Sequence, residues 1–577
     1  DDDTDAIQAA VDSFSAGGTV YVPEGTYLVS DPADVAIDAA IILPDSVNFI
    51  MSKGAWLTVE SSFGSFIAPK GNNIITCNID GNGYPASGVI TDDWTNENVG
   101  IRSYGSAALG LGAENVIVYN SEMKNVTHGI QAYGAKSWRV YGNRIHRIKL
   151  SGLLFGFYLN QDCKYNIFTA NNFADAGDTA IAFFQVGGYA AGGYGSYNTV
   201  SENIAKDCNQ RTNGYAYDVE AGDAAYQDHF IFSNNIYETT KTGGTYTFGG
   251  ITVSSTTGSV VDGNIVKGSL NSNGDTGINV QNSESCLITN NHVDNFRGAG
   301  IKLDGLTGVL VSGNMIKNCG DESINFSAIN IALTKSTQDV FVEGNTLIID
   351  SDYPHYDDGV AAIACNVATG KTVKNISITN NKITNPNDHG IAVNGITGNT
   401  IKNVDISLNT INGIDAGAFY QRHPITVSFL EGFAINGNIM YQPVRVGIAS
   451  RGISIKDSDK GIFAENVIRG TNTIAQLYTL TNTTNLTIRN NEVTSPFTDE
   501  VTPDASITDA TLGNFFEPLI PDSADLVLMN RISTGDLSLR TNSLERLNIE
   551  AGGRVTVKKS SNSEITDLVD DATIDID

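Results

Sequence analysis

The chain has 577 residues, and its 64 Asp and Glu outweigh 35 Lys and Arg to give a net charge of -29, which repels phosphate backbones and anionic lipid and excludes nucleic acid and membrane surfaces as partners. No apolar run reaches the roughly 18 residues of a bilayer span, and 59 Gly against 13 Pro with 17% charged residues describe an ordered, turn-dense β chain rather than a disordered one. The six cysteines, Cys77, Cys163, Cys208, Cys286, Cys319 and Cys365, stand singly without CxxC or metal-like spacing, so we expect buried thiols and neither a metal site nor a disulfide framework.

The first predicted element is an amphipathic helix over Thr4 to Phe14, followed by a strand after Gly17-Gly18 and a turn at Pro23 to Gly25. The chain opens on Asp1 and not on a methionine, which leads us to expect a further N-terminal region. A length of 577 residues would ordinarily mean several domains, unless the chain grows by stacking repeats. A repeat is present. Asn followed two places later by an apolar residue recurs at Asn143, Asn171, Asn203, Asn234, Asn264, Asn291, Asn314, Asn345, Asn381, Asn409, Asn438, Asn466 and Asn491, with a mean gap of 29 residues.

Within the unit, alternating strands begin near Gly-Ile, as in GITVS at 250, GINVQ at 277, GIKLD at 300 and GIAVN at 390, and a second apolar strand such as CLITNN or NISITNN precedes the Asn turn. Period-two alternation punctuated by Gly and Asn means strands. One unit cannot bury its apolar face alone, so units stack as coils about 4.8 Å apart around a shared Ile and Val interior. Asn suits the turns because it tolerates left-handed backbone and can bond along a ladder. The LxxLxL spacing of a leucine-rich repeat is missing. The predicted fold class is all-β, a right-handed parallel β-helix with an N-terminal capping helix.

Alternate strand residues face outward, so residues i and i+2 share the solvent face. Aligning the buried apolar pairs gives an outward strip of Ala182 and Phe184, Asp218 and Glu220, Thr252 and Ser254, Asn279 and Gln281, Lys302 and Asp304. Asp218 and Glu220 are its adjacent carboxylate pair. Two positions on a strand are roughly 6.5 to 7 Å apart, inside the range of about 5 to 9.5 Å that glycoside hydrolysis uses. We expect Glu220 as general acid and Asp218 as the ionised partner that activates water, with Asp178 and Asp223 as further catalytic candidates. Expected substrate contacts are Tyr215, Tyr217 and His229 beside the pair, Tyr189 and Tyr194 on the Gly-rich loop 187–198, Arg211 for an acidic sugar, and Lys302 with Asp304. No cofactor or metal is expected. DSDYPHYDDG, residues 350–359, is an acidic insertion that solvation explains better than a calcium loop or a substrate rim, and the acidic DDWTNEN, residues 92–98, is read as a surface loop ahead of a subunit contact or sugar platform.

The opening DDTDAIQAAVDSFSAGGTVYVPEGTYLV, residues 2–29, and NIDGNG at 78–83 resemble the entry segment and first coil of the pectate-lyase superfamily, as carried by phage tailspikes and polygalacturonase-like enzymes. LSLRTNSLERLNIEAGGRVTV, residues 537–557, resembles the β-hairpin repeat of phage tail-fibre C-termini, which belongs to trimerisation regions. The NTD and GHG motifs of polygalacturonases are absent, and RIK at Arg147 to Lys149 comes too early for that family's order. The paired-Arg calcium signature of pectate lyases is not evident.

These resemblances imply residues 1–30 as entry and cap, 31–495 as β-helix, 496–523 as an acidic linker and 524–577 as a small C-terminal β module. They also imply a homotrimeric tailspike depolymerase, docked to the phage tail through a preceding region, that hydrolyses a bacterial surface polysaccharide with water as its cosubstrate. A polysaccharide lyase and a non-catalytic glycan-binding fibre are the competing expectations.

Overall fold

The computed structural model describes residues 2–503 and 511–513 apart from 15, 31–38, 60–63, 83–97, 104–111, 159–161, 187–194, 209–213, 221–226, 241–247, 270–275, 321–326, 351–360, 387–388, 414–422, 443–449, 471–473 and 494–496, together with four strand segments between 537 and 568. Two units make up the chain, Asp1–Leu303 with Asn314–Cys319 and Asp304–Gly313 with Gly320–Asp577. Each is built of parallel coils, as expected of a right-handed parallel β-helix.

In the first unit each coil contributes one strand to each of three parallel sheets. Ile181–Val186, Thr199–Ser201 and Ile204–Lys206 are one such set, lying in sheets 1, 2 and 3. The next coil repeats it with Gly214–Glu220, Ile231–Ser233 and Ile236–Glu238. Inward residues stack on inward residues. Trp138 packs edge-on to Phe155 at 5.6 Å, Phe155 to Phe168 at 4.6 Å, Phe168 to Phe183 at 5.4 Å and Phe183 to Phe230 at 4.9 Å, a fully buried aromatic column whose edge-to-face contacts suit the ring quadrupoles.

The helix Thr4–Asp12 covers the open end, burying Ile7 and Val11. Its Gln8 side chain donates to the Ile42 carbonyl at 3.1 Å and accepts the Ile42 N–H at 2.8 Å. The exposed edge of the first coil is thereby satisfied in the way that keeps strand edges from recruiting other chains.

Between sheets 2 and 3 runs a ladder of buried asparagines. Asn171 Nδ2 donates to the Val140 carbonyl at 2.9 Å and to Asn203 Oδ1 at 2.9 Å, and that same oxygen accepts the Asn171 N–H at 3.0 Å. Asn143, Asn171, Asn203, Asn235, Asn264, Asn291 and Asn314 all join the ladder. Here the structure corrects the sequence reading, because the rung is Asn235 and not Asn234. Asn234 sits at φ 54° with its side chain over Gly263, while Asn235 is buried and is followed two places later by the inward Tyr237.

The residue before each rung turns the chain in left-handed backbone: Gly142, Ala170, Glu202, Asn234, Gly263, Asn290 and Gly313. Gly, Asn and Asp reach this region readily and other residues at a cost, which explains the recurring GN and NN pairs.

The second unit repeats the design. Val340, Ile376, Val404 and Phe433 stack in one sheet, and Asn345, Asn381 and Asn409 with Asn438, Asn466 and Asn491 form its ladder. Phe497–Pro503 and Thr511–Gly513 pair parallel to Ile474–Thr481 and Thr487–Arg489, so coil strands enter the stretch expected to be a linker. Leu537–Arg540, Glu545–Ile549, Val555–Lys559 and Glu564–Leu568 follow as an antiparallel meander.

All six thiols are buried, and burial pushes those of Cys77, Cys208 and Cys365 up to about 12, which makes them packing groups and not nucleophiles. Two substitutions test the corner. Asn235→Ala should cost about 2–4 kcal/mol by orphaning buried partners, and Asn234→Ala about 1 kcal/mol or less. Leu408, 64% exposed at φ 58°, stands where Gly or Asn belongs, so Leu408→Asn should stabilise by about 1 kcal/mol. Denaturant unfolding of the variants measures all three.

Candidate functional site

The candidate residues Asp218 and Glu220 belong to a strand of sheet 1 in the first unit. Backbone pairing aligns Ala182 with Asp218, Asp218 with Thr252 and Thr252 with Asn279. A second row aligns Phe184 with Glu220 and Ser254 with Gln281. These registers are those that the alternation of buried Ile, Val and Phe dictates, since a one-residue slip would turn every inward side chain out. Asp218 is half-buried. Glu220 closes the same strand two positions on.

The other sequence candidates fall in different places. Tyr217 is a correction: it is fully buried, and its hydroxyl donates toward the Asn203 and Ile236 carbonyls at 3.2 and 3.1 Å. The strand alternation that turns Asp218 outward turns Tyr217 inward, so it is a core residue. Tyr215 is half-buried, with its ring across Gly249 of the next coil, where an added Cβ would come within 2.1 Å.

Asp178 lies in the bend entering the preceding strand, four residues before Ala182, at most roughly 13 Å from the position paired with Asp218. Lys302 follows Asn279 in the first row: the Ile278 N–H donates to the Gly300 carbonyl at 2.9 Å, which puts Lys302 about 14 Å, three coils, from Asp218. Asp304 accepts the Thr334 N–H at 2.8 Å and the Thr334 hydroxyl, a contact within the second unit.

His229 is exposed at the corner leading into sheet 2, stacked on Tyr197 at 4.9 Å, which in turn stacks on Tyr165 at 5.5 Å. All three hold left-handed backbone, and Gly258 continues the column. The corner stack thus takes His229 away from the carboxylate rows. Asp223, Tyr189, Tyr194 and Arg211, and the acidic segment 351–360, lie outside the described residues, as does 92–97.

Toward the helix-capped end the same two rows carry side chains that the sequence reading did not single out. The first row runs Arg102, Gln131, Leu154, Ala182 and the second Tyr133, Gly156, Phe184. Arg102 Nε donates to Gln131 Oε1 at 3.0 Å, and Gln131 Nε2 donates to the Tyr133 hydroxyl at 2.9 Å. Tyr133 meets Phe184 edge-on at 6.0 Å. Extending the Gly-Ile alignment back to Gly129-Ile130 would have found Gln131 and Tyr133. His128, behind this cluster, is fully buried, and burial with the added charge of Arg102 pushes it down to about 3. Among the described residues no group of three or more metal-ligating side chains could hold a metal ion.

No family model matches the chain. A 60-residue stretch is 50% identical to alginate lyase 7 of Azotobacter vinelandii, which is 10% of this chain and 7% of that protein. The A-module of A. vinelandii mannuronan C-5 epimerase AlgE6 aligns over 89% of this chain and 96% of its own at 14% identity and a TM-score of 0.22. The tailspike protein of Escherichia coli bacteriophage HK620, in complex with a pentasaccharide, aligns over 86% and 75% at 14% identity and a TM-score of 0.37.

The His128 environment sets a pH dependence. An imidazole neutral in the fold and protonated when unfolded makes the unfolded state bind the extra proton between about pH 6.5 and 3, so stability falls as pH falls through that window. Thermal melts at pH 7 and 4.5 should show a smaller acid-induced drop in Tm for His128→Gln than for the parent.

Proposed function

We propose that this protein is a polysaccharide depolymerase of the phage tailspike type, an endo-acting glycoside hydrolase that cuts a capsule, exopolysaccharide or O-antigen during host adsorption. The observation that carries the reading is the register of sheet 1, which sets the half-buried Asp218 between Ala182 and Thr252 and Glu220 two positions on in the same strand. Two carboxylates on such rows span roughly 6.5–7 Å, a separation that glycosidic cleavage uses. In this mechanism Glu220 gives its proton to the leaving glycosidic oxygen while Asp218 takes a proton from the attacking water.

Asp223, Tyr215, Tyr189, Tyr194 and Arg211 are carried with the pair as proposed site residues. Tyr217 is not, because it is core. The rest of the biological reading is also proposed: a homotrimer of side-by-side solenoids on the virion tail, acting outside the cell at the bacterial surface. The net charge of -29 fits that setting, since it limits nonspecific adhesion to anionic envelopes.

A polysaccharide lyase is the second reading, favoured by the stretch that is 50% identical to an alginate lyase over 60 residues. On that reading a side chain of the same rows removes the proton beside a uronic acid carboxylate, and the product is an unsaturated sugar.

Incubation with purified capsules and lipopolysaccharides from a bacterial panel, reading fragment size and ultraviolet absorbance together, separates these readings. Fragments without absorbance are expected. Asp218→Asn and Glu220→Gln should each slow fragmentation by about 10²–10⁴-fold. Absorbing products would replace the hydrolase with a lyase, and the absence of cleavage across the panel would leave a glycan-binding fibre.

A further inference from the structure

We infer that Phe184 and Tyr133 form an aromatic floor on which the glycan lies immediately before the bond presented to Asp218 and Glu220, so that the ligand is a chain of pyranoses, each with an apolar ring face, running along the solenoid axis. The inference rests on the glycan-processing reading and says where its substrate sits and what kind of sugar it must be.

Four observations carry it. First, Phe184 is the backbone partner of Glu220 in the adjacent coil, and Tyr133 lies two coils further along the same row, through Gly156. Coil spacing puts the two aromatics about 5 and 14 Å from the Glu220 position, a span that a few consecutive sugars cover.

Second, the residue between them in their own row is small. Gly156 has no side chain, so the Tyr133 and Phe184 rings meet edge-on across the gap at 6.0 Å, with Leu154 beside it in the neighbouring row. Both rings are partly exposed on the outer face of the sheet, where a solvated β surface would carry polar side chains. Apolar rings gathered on a solvent face mark a binding surface, and the C–H face of a pyranose packs on such rings.

Third, the floor is held rigid. Arg102 Nε donates to Gln131 Oε1 at 3.0 Å, which fixes the amide so that Nε2 donates to the Tyr133 hydroxyl at 2.9 Å. Arg102 and Gln131 are themselves 5% and 1% exposed, so the open face ends where they begin. They are positioning residues.

Fourth, the rows change character on the far side of the carboxylates. There Thr252, Ser254 and Asn279 are buried and Asn279 Nδ2 donates to Thr252 Oγ1 at 3.3 Å, while Gln281 is half-buried. The acid pair therefore stands where the partly open aromatic stretch gives way to a closed polar one, so the floor lies on one side of it.

The test is affinity electrophoresis of the full chain carrying Asp218→Asn, run through gels that each contain one intact polysaccharide of the bacterial panel. At least one polysaccharide should retard this parent. Adding Phe184→Ala, or Phe184→Leu to keep the bulk without the ring, should weaken retardation about tenfold, while Phe184→Trp preserves it.

Retardation unchanged by Phe184→Ala and Phe184→Leu would overturn the floor, as would a parent that no polysaccharide retards. The two readings fail separately. Retardation that depends on Phe184 in a protein that cuts nothing upholds the floor and removes the hydrolase. Cleavage with unchanged rate and product sizes in Phe184→Leu keeps the hydrolase and removes the floor.

Discussion

A buried asparagine of the corner ladder such as Asn171 satisfies several groups at once: its Nδ2 donates to the Val140 carbonyl one coil back and to Asn203 Oδ1, and its Oδ1 accepts the side-chain amide and the backbone N–H of Asn143. An unpaired polar group at this depth would cost about as much as the whole bond contributes, so a coil cannot slide relative to its neighbour without orphaning several. The ladder therefore locks the stacking register. Everything on the outside of the solenoid inherits its position from that lock, because a side chain on the outer face of sheet 1 is placed along the axis by its coil and across the face by its alternation class.

That inheritance explains why a long repetitive chain can carry a localised site. The aromatic column of Trp138, Phe155, Phe168, Phe183 and Phe230 fills the interior of the coils whose outer rows bear Leu154, Ala182, Phe184 and Asp218. Large inward rings and a half-buried outward carboxylate alternate on one strand, and the burial of Tyr217 and Val219 on either side of Asp218 is what points Asp218 out. The outward placement of Asp218 is thus a surface property of a core pattern.

Much of this was legible in the sequence, for physical reasons that differ from element to element. The repeat was visible because left-handed turns select Gly and Asn and because the rung must be an amide, which leaves GN and NN pairs at most coils. The outward rows were legible because period-two alternation is rigid once one inward residue is identified.

Where two asparagines adjoin, as at Asn234 and Asn235, composition alone does not say which is the rung, and only the inward Tyr237 decides it. Tyr217 was misread because it adjoins Asp218 along the chain, whereas the strand alternation turns it inward, where its hydroxyl lies against two backbone carbonyls. His229 looked close to the carboxylates in sequence, but the chain turns a corner between them and stacking on Tyr197 fixes it there. Gln131 and Tyr133 were missed because they stand before Asn143, the first Asn of the repeat, although Gly129-Ile130 carries the same Gly-Ile signal.

The distance from the outward residue of sheet 2 to the rung is constant: Ile167 to Asn171, Thr199 to Asn203, Ile231 to Asn235 and Leu287 to Asn291, while successive rungs are separated by anything from 23 to 36 residues. All variation in coil length is therefore confined to the stretches away from this corner. A solenoid of this kind separates the part of its sequence that keeps it folded from the part that can be lengthened, shortened or exchanged. Segments inserted around the rim of sheet 1 can diversify the chemistry of that face, coil by coil, while the asparagine corner continues to count the coils.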